Sequence, residues 1–230
     1  MKKYMIFKNK TAFTINRYTN HKTNTKSYNI LTDNFIFEAT FKLTSKKLKS
    51  KEYCVLAREG YNMGIFIQEF DGENYIKWVW WETNEKNEEI YNDIFVHTKL
   101  NLSTFNTVKV IKKDNQFIMY VNNELYETRT LIHKLYDYKD KYIFIGAANP
   151  FCKNNNQCWF YGNIKDVKIY HSSDEIIDNL YLWFDFEKTS NFKTFDKSGN
   201  GNHGEKYETM EEKRRQSEEF NKLGRPAKIK

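Results

Sequence analysis

Three tryptophans fall within one run, YIKWVWWE (Tyr75–Glu82), and they are the side chains best equipped for recognition chemistry. An indole is a broad apolar plate with a single N–H. A sugar meets such a plate with an apolar C–H face ringed by hydroxyls, so exposed rings beside polar groups suit carbohydrate. The run alternates as a strand does, so its side chains divide between two faces. Ile76, Trp78 and Trp80 share one; Tyr75, Lys77, Val79 and Trp81 share the other. One face has to be core, and Trp78 and Trp80 are assigned to it. Trp81, with Tyr75 and the neighbouring Glu82, is then the ring that faces ligand. Gly60-Tyr61-Asn62 interrupts the apolar pattern shortly before. Arg58, Tyr61 and Asn62 therefore fall on a rim turn, either to hydrogen-bond ligand hydroxyls or simply to close the turn.

A second segment with chemical potential is FDKSGNGNHG (Phe195–Gly204). It offers the Asp196 carboxylate, the Asn200 and Asn202 amides and several glycine carbonyls. Hard cations such as Ca²⁺ take about six to eight oxygens, and a loop of this kind supplies them without strain. The same residues also make ordinary turns, so a calcium-ordered loop and a metal-free ordered turn both stand open. Asp166 is a further carboxylate, placed to join such a site or to pair locally.

Catalytic sets are thin. Asp185 and Glu187 have the alternate spacing that puts two carboxylates on one strand face, as glycoside hydrolysis needs. An Asp-x-Glu pair at a strand end is also an ordinary polar outer face, and that is the reading adopted. The histidines at 21, 97, 133, 171 and 203 are scattered, with no HExxH, GxSxG or phosphate-binding glycine loop. The basic end LGRPAKIK is too slight a signal for a nucleic-acid arm.

The positioning elements read as strands. FIFEATFKL (Phe35–Leu43) alternates, with Phe35, Phe37, Ala39, Phe41 and Leu43 on one face. YCVLARE and MGIFIQEF follow, and Asp71-Gly72 marks a hairpin turn into the tryptophan run. After the polar stretch TNEKNEEIYND come NTVKVIKK, a turn at Asp114-Asn115, and QFIMYVNNELYE with a tight turn at Asn122-Asn123. YIFIGAAN is a short buried strand. Within Phe160–Ile169 the apolar phase slips by one residue, which signals a β-bulge near Lys165-Asp166. SSDEIIDNL (Ser172–Leu180) opens with a serine cap and predicts a short helix. LYLWFDF turns Leu180, Leu182, Phe184 and Phe186 inward.

The chain has 230 residues, 40% of them hydrophobic and 17% aromatic, enough to fill one large β core and leave rings for a surface. The net charge of +7 is dispersed among both signs and reads as solvated surface. The N-terminal stretch has no apolar core of a secretory signal, and no run of about 18 apolar residues exists to span a membrane. Three cysteines, Cys54, Cys152 and Cys158, are an odd set that fits a reducing interior. Cys152 and Cys158 flank KNNNQ and would bridge a loop only in an oxidising space.

Taken in order, NFIFEATFKL, VLAREGYNMGIFIQ, NTVKVIKKDNQFIMYVNNEL, YIFIGAANP and FYGNIKDVKIYHSSDEI resemble the concanavalin A-like lectin/glucanase superfamily, and within it the laminin-G-like domains. The likeness covers roughly residues 30–188, with Asn123 standing where the family has glycine. DKSGNGNHG is similar to a loop those domains carry near their start; here it follows the YLWFDFEK strand at the other end, where it either completes this sandwich in a permuted arrangement, the reading favoured, or opens a second, truncated domain. The resemblance implies an all-β fold, an antiparallel two-sheet sandwich of jelly-roll type with a short helix and a polar C-terminal tail. It also implies structural calcium on such loops in some members. Residues 1–204 are expected to form the sandwich and 205–230 a charged tail or linker.

The expected function is non-catalytic recognition of a glycan through Trp81, Tyr75, Arg58, Tyr61 and Asn62, with Ca²⁺ at Asp196, Asn200 and Asn202 as the cofactor option. The partners are then a glycan or glycoconjugate and a homo-oligomer or larger polypeptide; nucleic acid is not expected. The location is cytoplasm or virion. The rival readings are an assembly protein that uses the sandwich for subunit contacts, and a glycoside hydrolase.

Overall fold

The computed structural model describes residues 5–7, 13–16, 34–44, 52–58, 63–96, 101–136, 142–148, 158–175, 179–186, 193–201 and 203–206. The early strands are β1 (Met5–Phe7), β2 (Phe13–Asn16), β3 (Phe35–Leu43) and β4 (Glu52–Arg58). Two meanders follow, β5 (Met63–Phe70), β6 (Glu73–Thr83) and β7 (Glu89–Phe95), then β8 (Asn106–Lys113), β9 (Gln116–Val121) and β10 (Glu124–Thr130). The rest are β11 (Lys134–Leu135), β12 (Tyr142–Ile145), β13 (Gly162–Tyr170), β14 (Leu180–Phe184), β15 (Lys193–Thr194) and β16 (Gly204–Lys206).

These strands form two antiparallel sheets packed face to face. The seven-stranded sheet runs β1-β13-β3-β8-β9-β10, with β14 also on β13. The nine-stranded sheet runs β11-β6-β5-β4-β12-β2-β16-β15, with β7 also on β6. The alternation of β3 reappears as burial of Phe35, Phe37, Ala39, Phe41 and Leu43 against Ile76, Trp78 and Trp80 of the opposite sheet. Trp78 stands edge-on to Phe37, ring centroids 5.8 Å apart, and meets Phe117 at 5.5 Å; Trp80 lies 4.9 Å from Phe117. Trp78 and Trp80 are core, as their phase requires.

Turn chemistry sets the register. Asp71 and Gly72 both have positive φ, as do Asn122 and Asn123, the pattern that two-residue hairpins need to match strand twist. Asn123 takes by itself a left-handed conformation that more often falls to glycine. The phase slip in β13 is a bulge: pairing with β3 jumps between Ile164 and Asp166, which returns Val167 and Ile169 to the core.

Of the helix expected over Ser172–Leu180, Ser172–Asp174 are bends, Asn179 lies in a 3-10 turn, Leu180 opens β14, and 176–178 lie outside the described residues. The Ser172 hydroxyl accepts from Asp174 N at 3.3 Å, closing a local turn. Among the described residues no helix is long and apolar enough to cross a membrane.

β14 pairs with β13 and β16 with β2, so the segment after Leu180 is built into both sheets. Cys54 and Cys158 are free thiols; Cys152 and residues 207–230, including most of the charged tail, lie outside the described residues.

Candidate functional site

β6 and β7 pair with Lys77 opposite Phe95, Val79 opposite Asp93 and Trp81 opposite Tyr91. Since Ile76, Trp78, Trp80 and Ile94 point into the core, these pairs stand on the outer face of the nine-stranded sheet. Tyr75 to Trp81 spans about 20 Å at a strand's rise of about 3.3 Å per residue.

The rings there come in two pairs. Trp81 meets Tyr91 edge-on with centroids 5.4 Å apart, and Tyr75 lies tilted on Phe95 at 5.1 Å. Trp81, Tyr75 and Phe95 are half-buried, and Tyr91 is 41% exposed. Between the pairs sits Lys77, buried along its stem. Its Nζ donates to Gln68 Oε1 at 3.0 Å and to Tyr91 Oη at 3.3 Å, and lies 5.9 Å from the Tyr91 ring centroid. Tyr91 Oη in turn donates to Asp93 Oδ2 at 3.1 Å. The face therefore holds a fixed cation, a carboxylate and an amide between two aromatic pairs. Rings of this kind fit C–H surfaces, and the polar row fits hydroxyls or an acidic substituent.

The same face is closed over β4 and β5. Cys54, Ala57, Phe66 and Val79 pack under Ala148 and Cys158, and Cys54 N donates to Cys158 O at 2.9 Å. The aromatic strip is bounded on that side.

Trp81 and Tyr75 thus come together on one face. Arg58 ends β4 with its backbone paired to Met63 and Ile143, and Met63 pairs onward to Trp80. The rim turn therefore leaves the sheet at the Trp81 end; the Arg58 side chain, Tyr61 and Asn62 lie outside the described residues. Glu82 corrects the sequence reading. It shares the phase of Trp80, so it points away from Trp81 into the body and is buried. Its Oε1 accepts from Trp80 Nε1 at 2.8 Å, and its Oε2 accepts from Ile132 N at 3.0 Å and His133 N at 2.6 Å. The sequence reading placed Lys77 on this face without a role, and it did not bring Gln68, Tyr91 and Asp93 there. For Tyr91 and Asp93 the signal was present: Ile90, Ile94 and Val96 keep strand phase inside what reads as a polar stretch.

The Gly/Asn loop folds as a latch on β14. Asp196 Oδ1 accepts from Trp183 N and Ser198 N, both at 2.9 Å, and Oδ2 accepts from Ser198 Oγ at 2.7 Å. Asn200 Nδ2 donates to Leu180 O at 2.7 Å and to Tyr181 O at 3.2 Å. Asn202 lies outside the described residues. The carboxylate oxygens already serve N–H and O–H donors, and the Asn200 amide turns its nitrogen, not its oxygen, toward the carbonyls. This donor set does not fit a calcium cage. Among the described residues no group of three or more His, Cys, Asp or Glu side chains converges. Asp185 forms an ion pair with Lys197, whose Nζ lies 5.4 Å over the Trp183 ring; Glu187 is outside the described residues. Asp166 Oδ1 accepts from Trp183 Nε1 at 2.9 Å, and burial holds its carboxyl above the ordinary carboxylate value, partly offset by Lys168.

Residues 16–174 match a family model, Laminin_G_3, described as concanavalin A-like lectin/glucanases superfamily. The chain belongs to that superfamily. Its laminin-G-like fold recurs in a candidate carbohydrate binding protein from Bacteroides ovatus, with a TM-score of 0.64 at 14% identity, covering 89% of this chain and 57% of that one. The CBM40 module of the Ruminococcus gnavus IT-sialidase, in complex with alpha2,3 sialyllactose, gives a TM-score of 0.53 at 13% identity, covering 77% of this chain and 96% of that one. Mouse laminin alpha1 domains LG4-5 give 0.50 at 9% identity, covering 75% and 43%. At these identities the likeness is one of fold. No curated protein matches the sequence.

Proposed function

We propose that this laminin-G-like domain is a non-catalytic carbohydrate-binding module that takes a glycan on the outer face of β6 and β7. The observation that carries the reading is the Trp81–Tyr91 pair standing beside the fixed Lys77–Gln68–Asp93 row. The rings stack on sugar C–H faces, and the polar row orients hydroxyls or a carboxylate. In this reading Trp81, Tyr75 and Tyr91 are the stacking rings, and Arg58, Tyr61 and Asn62 are rim candidates at the Trp81 end. The sialyllactose complex of the CBM40 module supports sugar binding on this fold and makes acidic glycans the first probes. The chain spans only 57% of the Bacteroides protein, in keeping with a module that works within something larger. Asp185, the described member of the Asp185–Glu187 pair, is tied to Lys197, which favours binding over hydrolysis.

A glycan array carrying sialylated and neutral oligosaccharides tests the proposal, followed by calorimetry on the full chain, Trp81→Ala and Tyr91→Ala. Saturable binding weakened at least tenfold in both variants, with melting little changed, is the expected outcome. Absence of saturable binding on the array, or undiminished binding in both variants, rejects it.

A further inference from the structure

At one end of the sandwich, an open cleft of about 970 Å³ lies where the β6–β7 turn, the β8–β9 turn and the segment entering β11 meet. None of the four rings of the β6–β7 face lines it. Its size is that of a small-ligand site.

The frame of the cleft and its rim are built differently. Every turn of the frame is bonded. Asn84 Oδ1 accepts from Lys86 N and Glu88 N, both at 2.9 Å, and its Nδ2 donates to Glu88 Oε2 at 2.7 Å. Lys112 Nζ, buried, donates to Asp114 O at 2.8 Å, and Asp114 N donates to Asn34 Oδ1 at 2.7 Å. Leu131 N donates to Asn115 O at 2.7 Å. The buried Glu82 carboxylate pins Ile132 and His133 by their backbone N–H groups. On the rim, by contrast, the side chains of Asn87, Asp114, Asn115 and His133 make no hydrogen bond or ion pair among the described residues. A rigid frame carrying free donors and acceptors has met its ordering cost before any ligand arrives.

The chemistry of the rim names the ligand class. Two lining cations, Lys112 and Lys134, face two anions, Glu85 and Asp114, so net charge selects neither an acidic nor a basic ligand. The amides and the imidazole both give and accept hydrogen bonds. Ile132, pinned through its backbone N–H, is 80% exposed and offers an apolar contact for a C–H surface. We infer that this cleft is a second binding site, for the end of a neutral oligosaccharide, held by hydrogen bonds without aromatic stacking. The inference does not depend on the β6–β7 reading.

The test is an amide chemical-shift titration of the ¹⁵N-labelled full chain with maltotriose, cellotriose, mannotriose and sialyllactose. The expected result is saturable shifts of the Asn115, Ile132 and His133 amides with at least one neutral trisaccharide. Those shifts should weaken at least tenfold in apparent Kd in Asn115→Ala and His133→Ala, neither of which removes a frame bond, and should persist in Trp81→Ala. Silence of the cleft amides with every neutral probe overturns the inference. So does equal saturation in both rim variants, or a response confined to sialyllactose. Silence at Trp81 and Tyr91 alone counts against the β6–β7 proposal and leaves the cleft standing.

Discussion

The two outer faces of the sandwich solve one problem in opposite ways. Both belong to strands whose inward residues are apolar, so both must present the other half of the alternation to solvent. On the seven-stranded sheet the answer is internal pairing. Lys168 Nζ donates to Glu38 Oε1 at 2.9 Å and lies 3.4 Å from Asp166 Oδ2, while Asp166 holds the Trp183 indole. Thr40 and Thr107 share a hydrogen bond at 2.9 Å, and Lys109 Nζ sits 5.0 Å from the Tyr120 ring centroid. The Lys168 amine keeps its proton far above the ordinary lysine value, because hydrogen bonding and charge from Glu38 and Asp166 outweigh the cost of its burial. On the nine-stranded sheet, β6 and β7 instead present ring edges around one lysine. The first face carries aromatics too, but they are engaged: Trp183 packs with Ile36, Tyr170 and Leu180 and donates to Asp166, and Tyr120 lies under Lys109. On the second face the Trp81–Tyr91 pair stands with Tyr91 41% exposed, the contrast on which the proposed binding role rests.

The largest effect should come from the group that lies behind the aromatic face. Glu82→Ala leaves the Trp80 indole and two backbone N–H groups without their acceptor in a buried place. A loss of about 3 to 5 kcal/mol in urea unfolding is expected, and a loss below about 1 kcal/mol would show that water replaces the carboxylate at no cost. Next comes Lys168→Met, which strips the Glu38–Asp166 pair of its cation. It should lower stability by about 1.5 to 3 kcal/mol and leave glycan affinity untouched. Trp81→Ala should do the reverse, costing at most about 1 kcal/mol of stability while binding falls at least tenfold. If Lys168→Met weakened binding, or Trp81→Ala destabilised the fold as much as Lys168→Met, the contrast between the faces would be lost.

A smaller effect separates the faces by pH. Burial at the end of β13 holds the His171 imidazole below its ordinary value of 6.5. As pH falls through that value the unfolded chain takes up the proton first, so it binds more protons there and stability declines. His171→Gln should flatten the fall in urea midpoint between about pH 6.5 and 5. An unchanged slope would assign the acid sensitivity to other groups.

The legible part of this molecule is what alternation and turn chemistry encode. Phe35–Leu43 announces its buried face, Asp71-Gly72 and Asn122-Asn123 announce their hairpins, and the slip before Val167 announces the bulge. Phase also separates Trp81 from Trp78 and Trp80. The rest depends on pairing between distant segments. Nothing local says that Tyr91 lands opposite Trp81, because that register is fixed by the whole β6–β7 ladder. Glu82 looks like a surface acid until the chain near Ile132 arrives to use it. Nor could sequence say whether Asp196 would gather oxygens or donors, since the N–H of Trp183 that it accepts lies on another strand.

That last ambiguity supplies the smallest predicted effect. If the Asp196 loop is a latch held by N–H and O–H donors, removing divalent ions removes nothing from it. Melting of the full chain in EDTA and in excess Ca²⁺ should then agree within about a degree, since a bound ion at saturating concentration would raise stability by several kcal/mol. Asp196→Asn keeps one acceptor oxygen and should melt a little lower in both buffers alike. A calcium-dependent rise in melting that vanishes in Asp196→Asn would mean that the loop exchanges its internal donors for a cation. The loop would then join the aromatic face as a surface whose chemistry is set for an outside partner.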